Sequence, residues 1–168
     1  MGKLDNKVAI ITGGNAGVGK EIAKLFASEG AKVVISARRQ QVLEEAAKEI
    51  EAAGGTVLCV PTDISKVDDV KNLVSKTVET FGQLDILINN AAISPKVPFE
   101  DIPLEQLEQV LRVNLMGAFL CAQEAAAQMK EKRWGRIISL ASMAGRFGAN
   151  KSGAHYAATK AGIAGMTL

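Results

Sequence analysis

Aromatic residues are scarce in this 168-residue chain: five Phe, one Tyr and one Trp. Seven rings are too few for a platform on which nucleic-acid bases stack. A dominant charge is missing as well. Twenty Lys and Arg oppose 18 Asp and Glu, a net charge of +2, which leaves no strong field for a polyanion. Cysteine is limited to Cys59 and Cys121, in apolar contexts without C-x-x-C spacing, and there is one histidine. That excludes a disulfide framework and leaves too few ligands for a zinc site, so both thiols are expected reduced and buried. No apolar run approaches the roughly 20 residues of a membrane span. Val8–Ile11 is too short for a signal-peptide core, and Asn6 stands where a myristoylation signal needs Ser or Thr. Collagen-like and heptad repeats, low-complexity tracts and internal linkers are all absent. The expectation is a soluble, cytoplasmic chain with no metal, no nucleic-acid partner and no membrane partner.

What is present points to a packed domain. Apolar residues make up 48% of the chain and charged residues 23%. A chain of this length folds as one domain, here 1–168, and buries about two thirds of its surface. Short aliphatic runs alternate with helical periodicity from end to end. Strands are predicted at Lys7–Thr12, Lys32–Ser36, Thr56–Pro61, Leu84–Asn89 and Arg136–Ala141. Helices are predicted between them: Glu21–Ser28, stopped by Gly30, and Gln41–Ala53, with Val42, Leu43, Ala46, Ala47 and Ile50 on one face. A third carries Val67, Val70, Leu73, Val74 and Val78 behind a capping-box-like Ser65 and Asp68. The strands read as continuous apolar runs, so both of their faces are covered. Strand, helix, strand at this spacing means a parallel sheet with right-handed crossovers. The fold class is α/β, doubly wound: five strands in the order 3-2-1-4-5, with helices on both faces.

Two further stretches stand out. Leu115–Ala127 is apolar on nearly every side, which requires burial all round. In a small chain this suggests one face on the sheet and another on a second subunit; the plainer reading is a fully internal helix. Local basic clusters occur at Arg38–Arg39 and Lys130–Arg136, the latter read as a solvated helix end.

Directly after the first strand comes Thr12-Gly13-Gly14-Asn15-Ala16-Gly17-Val18-Gly19, which opens a helix. Glycines let the backbone approach a pyrophosphate, and free amides at a helix N-terminus favour its charge. The spacing is T-G-x-x-x-G-x-G rather than the ordinary G-x-G-x-x-G. Asn89-Asn90-Ala91-Ala92 ends the fourth strand, and Asn114, Ser142 and Tyr156-Ala157-Ala158-Thr159-Lys160 follow. In this order, these features resemble the short-chain dehydrogenase/reductase family, most of all its 3-oxoacyl-(acyl-carrier-protein) reductase branch. The last place of N-N-A-G holds Ala92 instead of Gly.

The resemblance implies a dinucleotide site at Thr12, Gly13, Asn15, Gly17, Val18 and Gly19, with Asp63 and Ile64 near the adenine. It adds Asn90, Ala91, Tyr156 and Lys160 further along. An ordinary dinucleotide fold ends its second strand with an acid for the ribose 2′-hydroxyl. This chain has Ser36-Ala37-Arg38-Arg39 instead, and a guanidinium fork suits a 2′-phosphate. The cofactor expected is therefore NADP(H) rather than NAD(H), although Ala16 removes the family's second basic determinant. The alternatives stay open that Arg38 and Arg39 merely begin a solvated loop and that Asp63 caps the next helix.

Tyr156 and Lys160, four apart, share one face of a helix. A free phenol titrates near pH ~10, and a neighbouring ammonium favours its phenolate, which is the physical sense of Y-x-x-x-K. By the resemblance, Asn114, Ser142, Tyr156 and Lys160 form the catalytic group. Tyr156 exchanges the proton, Lys160 assists it and binds ribose, and Ser142 positions the substrate oxygen. Asn114 kinks its helix and holds a water leading to Lys160, or is a plain helix breaker. Ser142 and Tyr156 stand one residue further apart than is usual, which places an insertion in Phe147–Gly153 and leaves Ser139 as a rival serine. His155 points away from Tyr156 on any helix and is a bystander. Leu168 falls inside the Tyr156 helix, where the family continues, so the chain reads as C-terminally incomplete with later strands absent.

Two functions follow. One is an NADP(H)-dependent oxidoreductase acting on a carbonyl or alcohol, such as a 3-oxoacyl thioester. It would be a homodimer or homotetramer through the Leu115–Ala127 and Tyr156 helices. The other is a non-catalytic remnant that binds nucleotide or oligomerises.

Overall fold

Strand β1 (Val8–Thr12) is buried along its whole length, because it lies at the centre of the sheet. The computed structural model, which describes residues 2–148 and 153–167, pairs it in parallel on both sides. On one side Val8 faces Lys32 and Thr12 faces Ser36 of β2 (Lys32–Ala37). On the other, Ala9 and Ile11 face Ile86 and Ile88 of β4 (Ile86–Asn89). With β3 (Thr56–Pro61) outside β2 and β5 (Arg136–Ser139) outside β4, the order is β3-β2-β1-β4-β5. This is the doubly wound parallel sheet expected from the sequence.

Neighbouring residues of β1 serve opposite faces. Ile11 packs with Val33, Ile35 and Ile88 under α1 (Gly17–Ser28) and α2 (Gln40–Ala52), which contribute Ala23, Leu43 and Ile50. Ile10 packs with Val34 and Leu87 under α3 (Val67–Phe81) and α5 (Gly117–Lys132), which contribute Val70, Leu73, Cys121 and Ala125. Each buried Val, Leu or Ile side chain among these stabilises the fold by about 1.5–3 kcal/mol. Two buried faces are why the strands read as unbroken apolar runs.

Several boundaries differ from expectation for identifiable reasons. β4 begins at Ile86 rather than Leu84, because the Asp85 carboxylate accepts the Val8 amide at 2.8 Å. β5 ends at Ser139, level with the end of its partner at Asn89. The capping box at Ser65 does not form. The Ser65 hydroxyl donates instead to the Asp63 carboxylate at 2.7 Å, and α3 starts at Val67. The last helix, α7 (Ala154–Gly165), stops short of Leu168. Leu168, and residues 149–152 of the loop expected to carry an insertion, lie outside the described residues.

α4 (Leu104–Leu111) runs into a π turn, Arg112–Met116, and then into α5. The fully internal reading of this stretch is overturned: Cys121 and Ala125 are buried, whereas Met116 and Phe119 are each 54% exposed. Cys59 is only half-buried, against expectation, while burial pushes the Cys121 thiol up to about 12. The basic cluster after α5 is not simply solvated. The Lys7 ammonium lies 3.8 Å from the Trp134 ring centre, and the Arg136 guanidinium lies 5.1 Å from it.

Candidate active site

The strand order reverses between β1 and β4, and open α/β sheets form their ligand crevice at such a point, beyond the carboxyl ends of the strands. Here the two ends are stitched together. Thr12 Oγ1 donates to the Ile88 carbonyl at 3.2 Å and accepts the amides of Asn90 at 3.0 Å and Ala91 at 3.1 Å. Asn90 Nδ2 returns hydrogen bonds to the carbonyls of Thr12 and Gly13, at 2.9 and 3.2 Å. Gly13 and Gly17 take positive φ values of 67° and 53°, which a side chain would strain. A Cβ on Gly19 would run into Asn90 Nδ2 and the Gly13 carbonyl, so the third glycine lets helix α1 close onto β4.

A cavity of about 380 Å³ opens above this seam, lined by Gly13, Asn15, Val18, Arg38, Asp63, Ile64, Asn90 and Ala91 among others. Ala16, Ser36, Ala37, Thr62, Ala92, Ile93 and Val113 complete the wall, none of them a contact that the sequence alone predicts. Thr12, Gly17, Gly19 and Arg39 do not line it. Thr12 and Gly19 act behind the loop, and Arg39 is the residue immediately before α2. Two observations fit a dinucleotide here. Ser36 Oγ is buried with no hydrogen-bond partner among the described residues, and nothing lies within 4 Å of where a Gly17 Cβ would stand. Asp63 closes a tight turn: its carboxylate accepts the Ser65 hydroxyl and the Ser65 amide, at 2.7 and 3.1 Å. Those bonds, chiefly the hydroxyl, with lesser help from Lys66 and Arg38, hold its carboxyl below the usual carboxylate range. It does not cap α3, so the rival helix-capping role is removed.

The other predicted group gathers around α7. Lys160, only 6% exposed, donates from Nζ to the Leu140 carbonyl, and its Nζ lies 5.8 Å from the centre of the Tyr156 ring. Burial lowers the Lys160 ammonium from its ordinary value. Ser142 follows β5, and its Oγ accepts the Ala144 amide at 3.2 Å as the short helix α6 (Ala144–Phe147) begins. Ser139 is tied elsewhere, accepting from Asn89 Nδ2 at 3.3 Å on the way to α5. Asn114 sits in the π turn, a bulge often found at functional sites. Its Oδ1 accepts the Ile93 amide at 2.8 Å, and its Nδ2 donates to the Ile93 carbonyl at 2.9 Å and to Thr159 Oγ1 at 3.2 Å. Both amide hydrogens are thus engaged by protein, and the side chain clamps two segments instead of offering a donor to a water.

Tyr156, Lys160, Ser142 and Asn114 do not themselves line the cavity, though Ile93, which Asn114 holds, is part of its wall. His155 is only 2% exposed, and neither ring nitrogen has a partner among the described residues. Thr159 and Ile93 are the members that sequence reasoning missed: a threonine inside Y-x-x-x-K and an aliphatic residue after N-N-A carry no chemical signal of their own. Among the described residues, no group of three or more metal-ligating side chains occurs, and no helix is long and apolar enough to cross a membrane.

Known proteins share this architecture. A crystal structure of a short-chain type dehydrogenase/reductase from Mycobacterium marinum superposes with a TM-score of 0.94 at 34% identity, covering 98% of this chain and 67% of that one. An uncharacterized oxidoreductase of Thermotoga maritima is 39% identical over 164 residues, 98% of this chain and 64% of its own length. A 3-oxoacyl-(acyl-carrier-protein) reductase of Synechocystis is 36% identical over 168 residues, covering 99% of this chain and 68% of the relative. The chain thus spans about two thirds of the length of the curated relatives it matches. A family model described as short chain dehydrogenase matches residues 7–168. By this match over residues 7–168, and by relatives above 30% identity across nearly the whole chain, the chain belongs to the short-chain dehydrogenase family.

Proposed function

We propose that the chain carries the cofactor-binding and catalytic part of an oxidoreductase that moves a hydride between NADP(H) and a carbonyl or alcohol carbon. The observation that carries this reading is the cleft at the β1–β4 reversal, with an exposed arginine and an unpartnered buried hydroxyl, Ser36 Oγ, in one wall. The Tyr156–Lys160 turn is tied to its other wall through Asn114. Gly13, Asn15, Gly17 and Val18 offer backbone to the pyrophosphate, and Gly19 backs the loop against Asn90. Arg38, with Arg39 beside it, pairs with the 2′-phosphate and selects NADP(H) over NAD(H). Asp63 and Ile64 border the adenine, Asn90 and Ala91 the far ribose, and Lys160 binds that ribose.

A bound reduced nicotinamide supplies the hydride. In the reducing direction, Tyr156 gives its hydroxyl proton to the carbonyl oxygen, and Ser142 holds that oxygen by a hydrogen bond. The Lys160 ammonium stabilises the phenolate left behind by its charge. The name of the Synechocystis relative supports a 3-oxoacyl thioester as substrate. The apolar hollow at Leu115, Met116, Phe119, Leu120 and Met166 supports a homo-oligomer assembled through α5 and α7. The working compartment is the cytoplasm.

Calorimetric titration of the chain with NADPH, and with NADH for comparison, tests the reading. Tight NADPH binding with weak NADH binding is expected. A preference for NADH overturns the role of Arg38 and leaves the rest standing. Failure to bind either overturns the enzyme reading in favour of a remnant without turnover. Tyr156→Phe should bind NADPH as the parent does while carbonyl reduction falls by roughly 10²–10⁴-fold.

A further inference from the structure

Thr159 stands between the two residues to which the Y-x-x-x-K pattern gives chemistry, and the pattern leaves its place unspecified. It is 0% exposed, and its hydroxyl is used in both directions. Oγ1 donates to the Tyr156 carbonyl at 2.7 Å and accepts from Asn114 Nδ2 at 3.2 Å. A threonine hydroxyl has one hydrogen to donate, so the bond back to Tyr156 fixes its direction and turns the oxygen's lone pairs toward Asn114. Asn114 passes the link on, holding both the amide and the carbonyl of Ile93, and Ile93 is part of the cavity wall. One buried hydroxyl therefore joins the Tyr156 turn to the wall of the cleft through a single side chain.

We infer that Thr159 is a positioning residue. Its hydroxyl sets the rotation and axial position of the Tyr156–Lys160 turn against the Ile93 wall, so that the tyrosine stands in register with whatever the cleft presents. This rests on the catalytic role given to Tyr156 under Proposed function. Packing is an insufficient account of the residue. A valine would fill the same volume but would leave one Asn114 hydrogen without its partner in a buried site, freeing the amide to rotate and loosening its hold on Ile93.

The test is a pair of substitutions with opposite losses. Thr159→Val keeps the shape and removes the hydroxyl; Thr159→Ser keeps the hydroxyl and removes the methyl. The first readout needs no cofactor: hydrogen exchange of the Ile93 amide in the free chain. Thr159→Val should speed that exchange by about tenfold, the loss of one hydrogen bond, and Thr159→Ser should leave it as in the parent. The second readout is NADPH-dependent reduction of ethyl acetoacetate as a 3-oxoacyl probe. There Thr159→Val should lower kcat by about tenfold with KM unchanged, and Thr159→Ser should restore it. A serine variant as impaired as the valine one, or a valine variant matching the parent in exchange, overturns the inference. Should Thr159→Val fail to fold, Thr159→Ala removes the same hydroxyl and is read in the same way. If the parent neither binds NADPH nor turns over, the proposed function fails, while the exchange experiment still decides the Thr159 link.

Discussion

Gly145 lies against the backbone of α7 so closely that a Cβ there would stand 2.6 Å from the Ala161 nitrogen and 2.7 Å from the Lys160 carbonyl carbon. The contact is backbone on backbone, and neither side has a flexible end to move aside. It joins the short helix that follows Ser142 to the turn that carries Lys160. Gly145→Ala should therefore cost about 1–3 kcal/mol, the usual range for overpacking a close contact. It should also shift Ser142 relative to Tyr156, so turnover should fall by more than the loss of folded protein explains. Urea unfolding read beside NADPH-dependent reduction checks both; an alanine variant of parental stability would show that the contact gives way easily.

The buried Lys160 ammonium makes stability depend on alkaline pH. Its folded value is lowered by burial from the ordinary 10.5. Between that lowered value and 10.5 the unfolded chain binds the extra proton, so stability rises with pH across the window. Below it, the cost of holding the charge is constant. Lys160→Met removes the titrating group, so the parent should gain stability relative to this variant as pH climbs toward 10.5. Denaturation midpoints of both proteins from pH 7 upward measure the difference. A constant difference would mean that the ammonium is not desolvated.

Asp63 acts at the acid end with a related sign. Its folded value lies below 3.8, chiefly through the Ser65 hydroxyl. The stability it contributes is fully present above 3.8 and is lost as pH falls toward the lowered value. Ser65→Ala removes the larger of the two bonds from Ser65 and keeps the amide one, so the Asp63 carboxyl should titrate closer to 3.8. Carboxyl carbon chemical shifts followed against pH report this directly. An unmoved midpoint would assign the shift to the Ser65 amide and the neighbouring Lys66 and Arg38 charges instead.

Phe119 and Met116 show large apolar surfaces beside Leu115, Leu120 and Met166. A second copy of the chain on this hollow is expected, as apolar surface left open on a helix calls for cover. Phe119→Glu places a carboxylate in the middle of it. The expected result is a shift to monomer in sedimentation equilibrium, with the circular dichroism of the fold unchanged. A parent that already sediments as a monomer would remove this face as an interface.

The doubly wound sheet was legible because each strand buries both faces and therefore advertises itself as an aliphatic run; β1 and β2 are the clearest cases. The glycine loop was legible for a related reason, since a backbone that must turn and approach closely admits few residue types. Cooperative polar links were less so. Nothing in the spelling of Ser65 and Asp68 reveals that Asp63 outcompetes the helix start for the Ser65 hydroxyl. The π turn is only half legible: Asn114 reads as an interruption of its helix, but nothing in Arg112–Met116 says that its side chain is brought against Ile93. The burial of His155 was hidden too, since one polar residue in an otherwise apolar turn does not say which way the helix is rolled.

β1 and β4 are the neighbours in the sheet that lie furthest apart along the chain. β2, the other partner of β1, follows it within a few tens of residues, but Ala9 and Ile11 meet Ile86 and Ile88 only after two further strands and three helices have been made. A nascent chain leaving the ribosome therefore carries a three-stranded sheet with the β1 edge bare, an aliphatic strand without its hydrogen-bonding neighbour. Parallel pairings of this reach form slowly and leave such edges open to other chains. The centre of the finished molecule is thus the sticky flank of the half-made one, and its safe production depends on how soon residues 86–89 arrive.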